Sequence, residues 1–386
     1  YDSGPLAPGS ESLLEVTLTA SEGSTPTGDL VITTDDPKLP VFRVPVTGVV
    51  LDPPAVTTLP AMLDPDPTFL AEVDPKGSTT SVTFEFSTDP DLNGFDVLTL
   101  AGSRSGYASG TGNTARFDQL SGIALDTAGN TYLADTRNHC IRKVNPSGVA
   151  TVFAGMPGSA GFSDGTSEVA RFNEPVGLVI NAAGNLLVAD SLNHRIRMIL
   201  PNGEVSTYVG FTEPGFTDGV GSAARFQEPS GLAISSNGEL YVADRLNHRV
   251  RVIDTDQRVR TLAGSGPGGS LNEPTSLAVT PTGTVYLTEA GRSTILAIDP
   301  SGGITTLAGG ASGYADGVGG GARFASPTGL LLSAAGSLFV ADTGNNRIRK
   351  VIFPNAVVTT FAGNGSTVGN DGDSAVAGIV QPLSLA

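Results

Sequence analysis

The sequence predicts an all-β chain whose larger part is a β-propeller, preceded by a shorter β-sandwich region. Glycine and proline are abundant, with 50 and 26 residues, and the glycines recur at fixed offsets. One hydrophobic pattern occurs five times, at intervals of 45 to 55 residues. Each copy has room for four short strands, and such a sheet buries both faces only when it stacks radially on similar sheets.

The repeat is clearest in four copies that align almost without gaps. They are GIALDTAGNTYLADTRNHCIRKV (122–144), GLVINAAGNLLVADSLNHRIRMI (177–199), GLAISSNGELYVADRLNHRVRVI (231–253) and GLLLSAAGSLFVADTGNNRIRKV (329–351). A fifth copy, SLAVTPTGTVYLTEAGRSTILAI (276–298), keeps the hydrophobic pattern but lacks the polar signature. In the third copy we expect strands at about 231–234, 240–243, 249–253 and 258–263, the first two joined by a turn at Asn237 and Gly238.

The third strand of each copy alternates between apolar and charged residues. In the third copy Arg249 and Arg251 alternate with Val250 and Val252. This period of two predicts one apolar face against a neighbouring blade and one charged face near the outside. Cys140 stands where the second copy has Arg195, and we expect an inert, half-buried thiol there.

These copies resemble the NHL repeat family over about residues 96–386. The resemblance implies a six-bladed propeller. VLTLA at 97–101 matches the fourth strand of a repeat, and PLSLA at 382–386 matches the first strand. The last blade is therefore expected to be split between the two ends and incomplete, without its second and third strands. We expect the native protein to continue at least about 25 residues past Ala386, the length of a further hairpin.

The segment before the propeller predicts two partial sandwiches. Residues 1–51 contain the strand-like runs LLEVTLTA, DLVITTDD and VFRVPVTGVV, and resemble part of an Ig-like module of bacterial surface proteins. Residues 52–95, with FLAEVDPKGSTTSVTFEFSTDP, resemble the early strands of a fibronectin type III sandwich. Both are shorter than a complete sandwich of about 100 residues. The predicted domains are thus 1–51, 52–95 and 96–386.

Charge and composition argue against several partners. The net charge is −16, of which residues 1–95 carry −12 and residues 96–386 carry −4. Neither part has the excess of basic residues that nucleic acids or anionic membranes require. No apolar run approaches the roughly 18 residues of a membrane span, so direct membrane insertion is not expected.

The three histidines invite a zinc hypothesis, since the resemblance includes lyases that hold a metal through histidines at the hub. His139, His194 and His248 occupy the same repeat position, and Asn346 occupies it in the fourth full copy. Equivalent positions on different blades lie far apart, whereas zinc needs its ligands within about 2.1 Å. The histidines are therefore interpreted as contacts that stabilise the blades.

Two sets of aspartates are likewise interpreted as residues that stabilise the blades. Asp135, Asp190, Asp244 and Asp342, with Glu289 in the divergent copy, end the second strand and are expected to accept hydrogen bonds from the following turn. A loop motif recurs as GFSDGTSEVARFNEP (161–175), GFTDGVGSAARFQEP (215–229) and GYADGVGGGARFASP (313–327). In the loops we expect Asp164, Asp218 and Asp316 to pair with Arg171, Arg225 and Arg323.

The same loops contain phenylalanines that we expect to be buried and aspartates that could bind a metal ion. Phe172, Phe226 and Phe324 are predicted to pack between adjacent blades. No cofactor is expected, and calcium is the alternative, because the loops are rich in oxygen ligands. The candidate ligands are Asp371 and Asp373, in the run NDGD at 370–373, together with Asp164, Asp218 and Asp316.

The connectivity of a four-stranded blade places these loops and the Ala-Asp-x-x-Asn-His turns on one face, the usual ligand face of a propeller. The divergent copy departs from the repeat there. Its loop, GSGPGGSLNEP at 264–274, is short, and its turn reads TEAGRST at 288–294. A notch in the rim is therefore expected, with Glu289, Arg292, Asn272 and Glu273 as candidate binding residues.

No nucleophile motif, phosphate-binding loop or Cys/His cluster occurs in the sequence. The leading hypothesis is a non-enzymatic, extracellular or cell-surface bacterial protein whose propeller is a rigid recognition platform. Its partner would be a protein or a carbohydrate at the cell surface, or copies of itself. The alternatives are a metal-dependent lyase or hydrolase of the propeller type, and a structural subunit of a filament or surface assembly.

Overall fold

A computed structural model describes residues 96–102 and 105–386 and, before them, only strands. The chain divides into two compact units, Tyr1–Phe95 and Asp96–Ala386. In the part of the chain that is described, no helix is long and apolar enough to span a membrane.

The first unit contains three antiparallel strand pairs. They are Ser12–Leu18 with Thr80–Phe86, Thr27–Thr33 with Val41–Thr47, and Ala55–Thr58 with Ala71–Asp74. The three runs predicted before residue 51 thus contain strands. The first pair joins residues from the two segments, 1–51 and 52–95, that the sequence assigned separately. The Ig-like and fibronectin-like assignments stay predictions.

The second unit is a β-propeller of five complete blades. Each blade is an antiparallel sheet with four strands in chain order, here called the inner, second, third and outer strand. The inner strands are Leu120–Leu125, Pro175–Ile180, Pro229–Ile234, Pro274–Val279 and Leu330–Leu332. The second strands are Thr131–Asp135, Leu186–Asp190, Leu240–Asp244, Val285–Glu289 and Leu338–Asp342. The third strands are Cys140–Val144, Arg195–Ile199, Arg249–Ile253, Thr294–Ile298 and Arg347–Ile352. The outer strands are Val149–Ala154, Val205–Gly210, Arg258–Ala263, Ile304–Gly309 and Val357–Ala362.

The strands of blade 3 agree with the predicted ones to within two residues. At the first hairpin, Gly238 adopts a φ of 86°, and its N–H donates to the Ser235 carbonyl at 2.9 Å. A residue with a side chain is strained in this left-handed region, which is why the turn requires glycine. Asn237, the other residue of the predicted turn, is not among the positive-φ residues, so Gly238 alone provides the left-handed conformation that we expected of both.

Short helical turns connect the second and third strands of every blade. The 3₁₀ turns at this position are Thr136–Asn138, Ser191–Asn193, Arg245–Asn247, Ala290–Arg292 and Thr343–Asn345. Three further 3₁₀ turns lie in the loops before the inner strands, at Gly112–Thr114, Gly221–Ala223 and Gly319–Gly321. These loops also add a short fifth strand to blades 1, 3 and 5, at Gly110–Thr111, Gly219–Val220 and Gly317–Val318.

The prediction of six blades is wrong for this chain, which forms five. Beyond them, Gly372–Asp373 pairs with Asp96–Val97 in the register that a loop strand and an outer strand have in blade 3. Residues 382–386 form no strand, although the Thr328 hydroxyl donates to the Leu383 carbonyl at 2.9 Å. Among residues 96–102 and 105–386 no second or third strand lies at this position, so the sheet there has two strands.

The hydrophobic core lies between successive blades. Phe172 packs with Tyr132 and Ala154 of blade 1 and with Leu178 and Leu186 of blade 2. Phe226 and Phe324 lie in the equivalent clusters, and all three rings are fully buried, as predicted. Radial stacking of the blades therefore buries both faces of each sheet. It also holds the loops together on one face of the propeller.

Candidate functional site

One face of the propeller carries both the turns between the second and third strands and the loops before the inner strands, as the strand order predicts. The Asn193 side chain, in the turn of blade 2, donates to the Gly161 carbonyl of the preceding loop at 2.7 Å. Asn247 makes the same bond to Gly215 at 2.5 Å. Equivalent bonds occur in blades 1 and 5. We call this surface the loop face; it comprises the turns between second and third strands and the loops 105–117, 161–172, 215–226 and 313–324.

A buried Asp–Arg pair supports the loop face in four blades. In blade 3 the Arg251 guanidinium is fully buried and donates to Asp244 at 2.8 Å and to Asp218 at 2.6 Å. Asp244 also accepts the Gln227 N–H and the Asn247 side-chain amide, both at 2.8 Å. The equivalent pairs are Asp135–Arg142, Asp190–Arg197 and Asp342–Arg349. One arginine thus joins the second strand, the third strand and the loop.

Burial raises the pKa of Asp190 and Asp244, and the adjacent guanidinium and N–H donors oppose that rise. The same holds for Asp135. Removing either partner of such a buried pair would leave one charge buried without a counter-ion, which strongly destabilises a folded protein. The network therefore makes the turns and loops above it rigid.

Three predictions about these polar residues need correction. The loop aspartates Asp164, Asp218 and Asp316 pair with Arg197, Arg251 and Arg349, not with the loop arginines Arg171, Arg225 and Arg323. The turn aspartates do accept a hydrogen bond from the following turn, but from its asparagine side chain and not from the backbone N–H groups of Asn and His that were predicted. The backbone N–H that they accept comes from before the inner strand. The charged face of the third strand is not exposed: Arg142, Arg197, Arg251 and Arg349 are fully buried. The reason is common to all three, because the loop folds back over the sheet and brings its aspartate to the third strand.

The sequence contains a signal that could have identified the buried pair. Arg251 follows Asp244 by seven residues, and the other three pairs have the same spacing. In blade 4 the two positions hold Glu289 and Leu296, so aspartate and arginine are replaced together. Glu289 keeps the negative charge, but both positions change in the same copy, and such a coupled change indicates contact between the two residues.

The histidines join neighbouring blades and do not converge on a common point. The His194 Nδ1 atom of blade 2 accepts the Glu228 N–H that precedes blade 3, at 3.2 Å. His139 and His248 accept the Glu174 and Glu273 N–H groups in the same way, at 3.2 and 3.1 Å. An Nδ1 atom accepts a hydrogen bond only when it carries no proton, so this contact requires the neutral imidazole. This geometry agrees with the interpretation of the histidines as stabilising contacts.

Exposed aromatic rings stand at one equivalent position of the loop face in blades 1, 2, 3 and 5. Phe216 is 60% exposed, and the Arg249 guanidinium lies 4.4 Å from its ring centre. Phe162 lies over Arg195 at 3.7 Å and Tyr314 over Arg347 at 4.1 Å. In blade 1, Tyr107 is 48% exposed, with Arg142 at 5.1 Å. Each ring is thus supported from below and faces solvent above.

The loop arginines lie beside these rings. The Arg323 side chain packs along Gly313, and a Cβ at Gly313 would lie 3.6 Å from the Arg323 Cδ. Gly313 directly precedes Tyr314, so the aliphatic part of the Arg323 side chain passes next to the residue that carries the ring. Arg116, Arg171 and Arg225 pack along the glycines before Tyr107, Phe162 and Phe216. Sequence reasoning assigned these arginines to the loop aspartates and did not single out the aromatic residues.

The candidate notch in blade 4 is occupied by its own side chains. The Glu289 carboxylate is 1% exposed and accepts the Asn272 N–H at 2.5 Å and the Thr294 hydroxyl at 3.0 Å. The Arg292 guanidinium lies 3.4 Å from the same carboxylate. Glu273 lies at the surface and pairs with Arg245 of blade 3 at 3.2 Å. The binding role predicted for these four residues stays a prediction.

The calcium candidates are dispersed. Asp371 accepts the Thr99 hydroxyl at 2.6 Å, and this bond lowers the pKa of Asp371. Asp373 accepts the Ala375 N–H at 2.9 Å. Asp164, Asp218 and Asp316 belong to three separate blades and bind buried arginines. Among the described residues, no group of three or more His, Cys, Asp or Glu side chains is arranged to hold a metal ion.

Comparison with known proteins identifies the repeats. The NHL repeat family model matches residues 172–197 and 226–253. The chain is 33% identical over 178 residues to Protein SUPPRESSOR OF QUENCHING 1, chloroplastic, of Arabidopsis thaliana, which covers 42% of this chain and 17% of that protein. It is 42% identical over 82 residues to NHL repeat-containing protein 2 of Homo sapiens, covering 21% of this chain and 11% of that protein. The chain therefore carries NHL repeats and spans less than a fifth of either relative.

Solved structures share the fold at low sequence identity. A protein of unknown function from Bacteroides thetaiotaomicron superposes with a TM-score of 0.60 and 16% identity, over 99% of this chain and 93% of that chain. An auxiliary nutrient binding protein from Bacteroides ovatus gives a TM-score of 0.58 and 14% identity, over 99% and 94%. At this level of identity the likeness shows the architecture alone.

Proposed function

We propose that this chain is a non-enzymatic binding module, extracellular or at the cell surface, whose propeller holds a protein or carbohydrate on the loop face. The observation that carries the proposal is the set of exposed aromatic rings at one repeat position, each lying over an arginine. Aromatic side chains provide large contact areas at little entropic cost, and solvent-facing rings at recurring positions are typical of recognition surfaces.

The buried arginines hold the loops that carry the exposed rings, which also favours a binding function. Each ring belongs to a loop that a buried arginine holds from below, as Arg251 holds the loop carrying Phe216 through Asp218 at 2.6 Å. A preorganised surface loses little conformational entropy when a ligand binds, which favours affinity. The auxiliary nutrient binding proteins that share the fold also support the interpretation as a binding module.

The experiment compares two variants on an array of purified polysaccharides and proteins. Phe216→Ala/Tyr314→Ala removes two exposed rings of the loop face. Leu125→Ala removes a side chain of similar exposure, 44%, at the opposite end of an inner strand. We expect at least one ligand that binds the wild type and Leu125→Ala equally and binds the double variant about tenfold more weakly. Equal binding to both variants would overturn the proposal, and chemical alteration of a bound ligand would favour the lyase or hydrolase alternative.

A further inference from the structure

We propose that the ligand of the loop face is an anionic polysaccharide with carboxylates at regular intervals. This inference rests on the proposed function and names its ligand class. It follows from the pairing of one exposed ring with one loop arginine, a unit that we call a station. The four stations are Tyr107 with Arg116, Phe162 with Arg171, Phe216 with Arg225 and Tyr314 with Arg323.

The guanidinium groups of the stations are available to a ligand. Arg116 and Arg323 are exposed, and Arg171 is half-buried. Within residues 105–386, these three take part in none of the ion pairs that the structure contains. The Arg171 guanidinium contacts only the Met156 sulfur, at 3.1 Å. Arg225 pairs with Glu213, whose carboxylate is 69% exposed, and such surface pairs are weak. A ligand carboxylate can therefore bind these cations without breaking a buried network.

The loop aspartates do not cancel these charges. Asp164, Asp218 and Asp316 each bind a fully buried arginine at 2.5 to 2.6 Å. Each of these arginines also binds a strand aspartate, so two carboxylates share one guanidinium. The arginine beneath the ring, Arg195, Arg249 or Arg347, supplies the second positive charge. Two charges of each sign then cancel in these three blades, and the loop arginine adds one further positive charge. Guanidinium binds carboxylate with two parallel hydrogen bonds, and the ring offers an apolar face for a sugar ring.

Repetition of the stations favours a polymer over a folded protein. The same ring and the same cation recur in four blades at one repeat position, which matches a ligand that presents one chemical unit repeatedly. Several weak contacts to such a chain add through effective concentration. A polynucleotide also repeats, and the net charge of −4 for residues 96–386 opposes any polyanion. A polysaccharide with one carboxylate per two sugars, such as hyaluronate, has a lower charge density than a polynucleotide with one phosphate per nucleotide, so the opposition is weaker for the polysaccharide.

The test uses the whole chain and three carboxylated polymers: polygalacturonate, alginate and hyaluronate. Arg225→Gln/Arg323→Gln removes two station cations. The matched control, Arg258→Gln/Arg260→Gln, removes the same charge from the outer strand of blade 3, where both arginines are exposed. Fully methyl-esterified polygalacturonate keeps the sugar backbone without charge, and poly(dT) represents nucleic acid. Circular dichroism and thermal melting check that each variant is folded.

We expect at least one carboxylated polymer to bind the wild type and the control equally, and to bind Arg225→Gln/Arg323→Gln about tenfold or more weakly. Binding should weaken with salt and be lost on methyl esterification. Three results would overturn the inference: no binding of any of the three polymers, equal binding of the esterified form, or tighter binding of poly(dT) with the same variant dependence. A neutral ligand that depends on Phe216 and Tyr314 but not on the arginines would leave the proposed function intact and remove this inference.

Discussion

In each of four blades one buried arginine binds both the second strand and the loop, as Arg251 does in blade 3. Its guanidinium reaches Asp244 on the second strand, Asp218 in the loop and the Thr217 carbonyl, all between 2.6 and 3.0 Å. Its two carboxylate partners differ in burial, since the Asp244 side chain is fully buried and the Asp218 side chain is 49% exposed. Solvent screens the second pair, so the two carboxylates contribute unequally to stability.

This inequality predicts an order of stabilities. Arg251→Leu leaves the Asp244 charge buried without a cation, and we expect it to lower the free energy of unfolding by about 3–5 kcal/mol. Asp218→Asn removes only the half-exposed carboxylate and should cost about 1 kcal/mol or less. Chemical denaturation of both variants measures the difference. Equal destabilisation would contradict the assignment of the buried Asp244 pair as the dominant one.

Cys140 is the one cysteine of the chain, and its thiol is fully buried in place of the arginine found in blade 2. It is more buried than the half-buried position predicted from the sequence. Burial, and to a lesser degree the Asp135 charge, raises the pKa of Cys140 to about 12. The reactive thiolate is therefore rare at neutral pH.

We expect the native protein to resist alkylation by iodoacetamide at about pH 8, because both burial and the raised pKa suppress thiolate formation. The same protein in denaturant should react at the rate of a free cysteine. Mass spectrometry of the intact chain measures the modified fraction under both conditions. Rapid labelling of the folded protein would show that the thiol is accessible.

At the scale of the element, blade 4 keeps the fold without the polar network. Leu296 replaces the buried arginine, and Leu271 replaces the phenylalanine between blades and is 1% exposed. Glu289 accepts N–H and hydroxyl donors in place of the aspartate. The network is therefore replaced as a unit, which is expected because a partly satisfied buried network is costly. Blade 4 thus shows that this propeller can maintain a blade without the buried arginine.

Inner strands approach one another so closely that glycine is required at several positions. A Cβ at Gly231 would lie 2.7 Å from the Ser276 Cα and from the Thr275 carbonyl oxygen. Gly177 and Gly329 have equally close backbone neighbours. These contacts involve backbone atoms, which cannot rotate away as a side chain can. The glycine that begins each of the four aligned copies therefore serves packing at the hub, not turn formation.

Gly231→Ala should consequently destabilise the protein by about 1–3 kcal/mol through overpacking. Gly320→Ala is the matched control, because a Cβ there would contact nothing within 4 Å and no left-handed φ occurs. The control should be neutral or slightly stabilising, since alanine restricts the unfolded chain. Thermal melting compares the two variants. A loss of stability in Gly320→Ala as large as that in Gly231→Ala would contradict the packing explanation.

At the scale of the whole molecule, polar bonds between blades complement the hydrophobic interfaces. Histidine Nδ1 atoms accept a backbone N–H across the interfaces of blades 1 with 2, 2 with 3 and 3 with 4. After blade 5, the Asn346 Oδ1 atom accepts the Gln381 N–H at 2.9 Å in the same way. Histidine can accept this bond only while neutral, whereas asparagine accepts it at any pH. The contact that His194 makes between blades 2 and 3 is therefore sensitive to acid.

The direction of the pH effect follows from the pKa of His194. Burial lowers this pKa, Glu228 opposes the shift and Arg195 adds to it. The unfolded chain, with a histidine pKa of about 6.5, therefore binds more protons than the folded chain below that pH. The stability that His194 contributes is present above about pH 6.5 and is lost as the pH falls through the lower folded-state value.

His194→Asn tests this effect, because it introduces the residue found naturally at position 346. We expect variant and wild type to melt at similar temperatures near pH 7.5, and the variant to be more stable by about 1 kcal/mol near pH 5. The comparison within each pH cancels the contributions of the carboxylates. A difference between the two proteins that does not change with pH would contradict a role for histidine protonation.

Much of this organisation could be predicted from the sequence. The four aligned copies located the strands of blade 3 to within two residues, because alternation and turn glycines are local properties. The phenylalanines between blades and the shared face of loops and turns followed from spacing and strand order. The arginine partners could not be assigned in this way: Arg171 lies seven residues from Asp164, whereas the observed partner, Arg197, lies 33 residues away.

The sequence by itself determined that residues 96–386 form an all-β propeller, since period, turn residues and strand order follow from local chemistry, and its repeats resemble those of the NHL family. Tertiary structure alone decided that five blades are complete, that the loop aspartates bind the third-strand arginines, and that the loop arginines lie outside that buried network. The physical reason is the path of each loop, which folds back over its sheet. Because of this path, the loop aspartate binds an arginine 33 residues away, as Asp164 binds Arg197, and the nearer loop arginine is left outside the pair. Contacts between residues so far apart in the sequence cannot be predicted from local spacing.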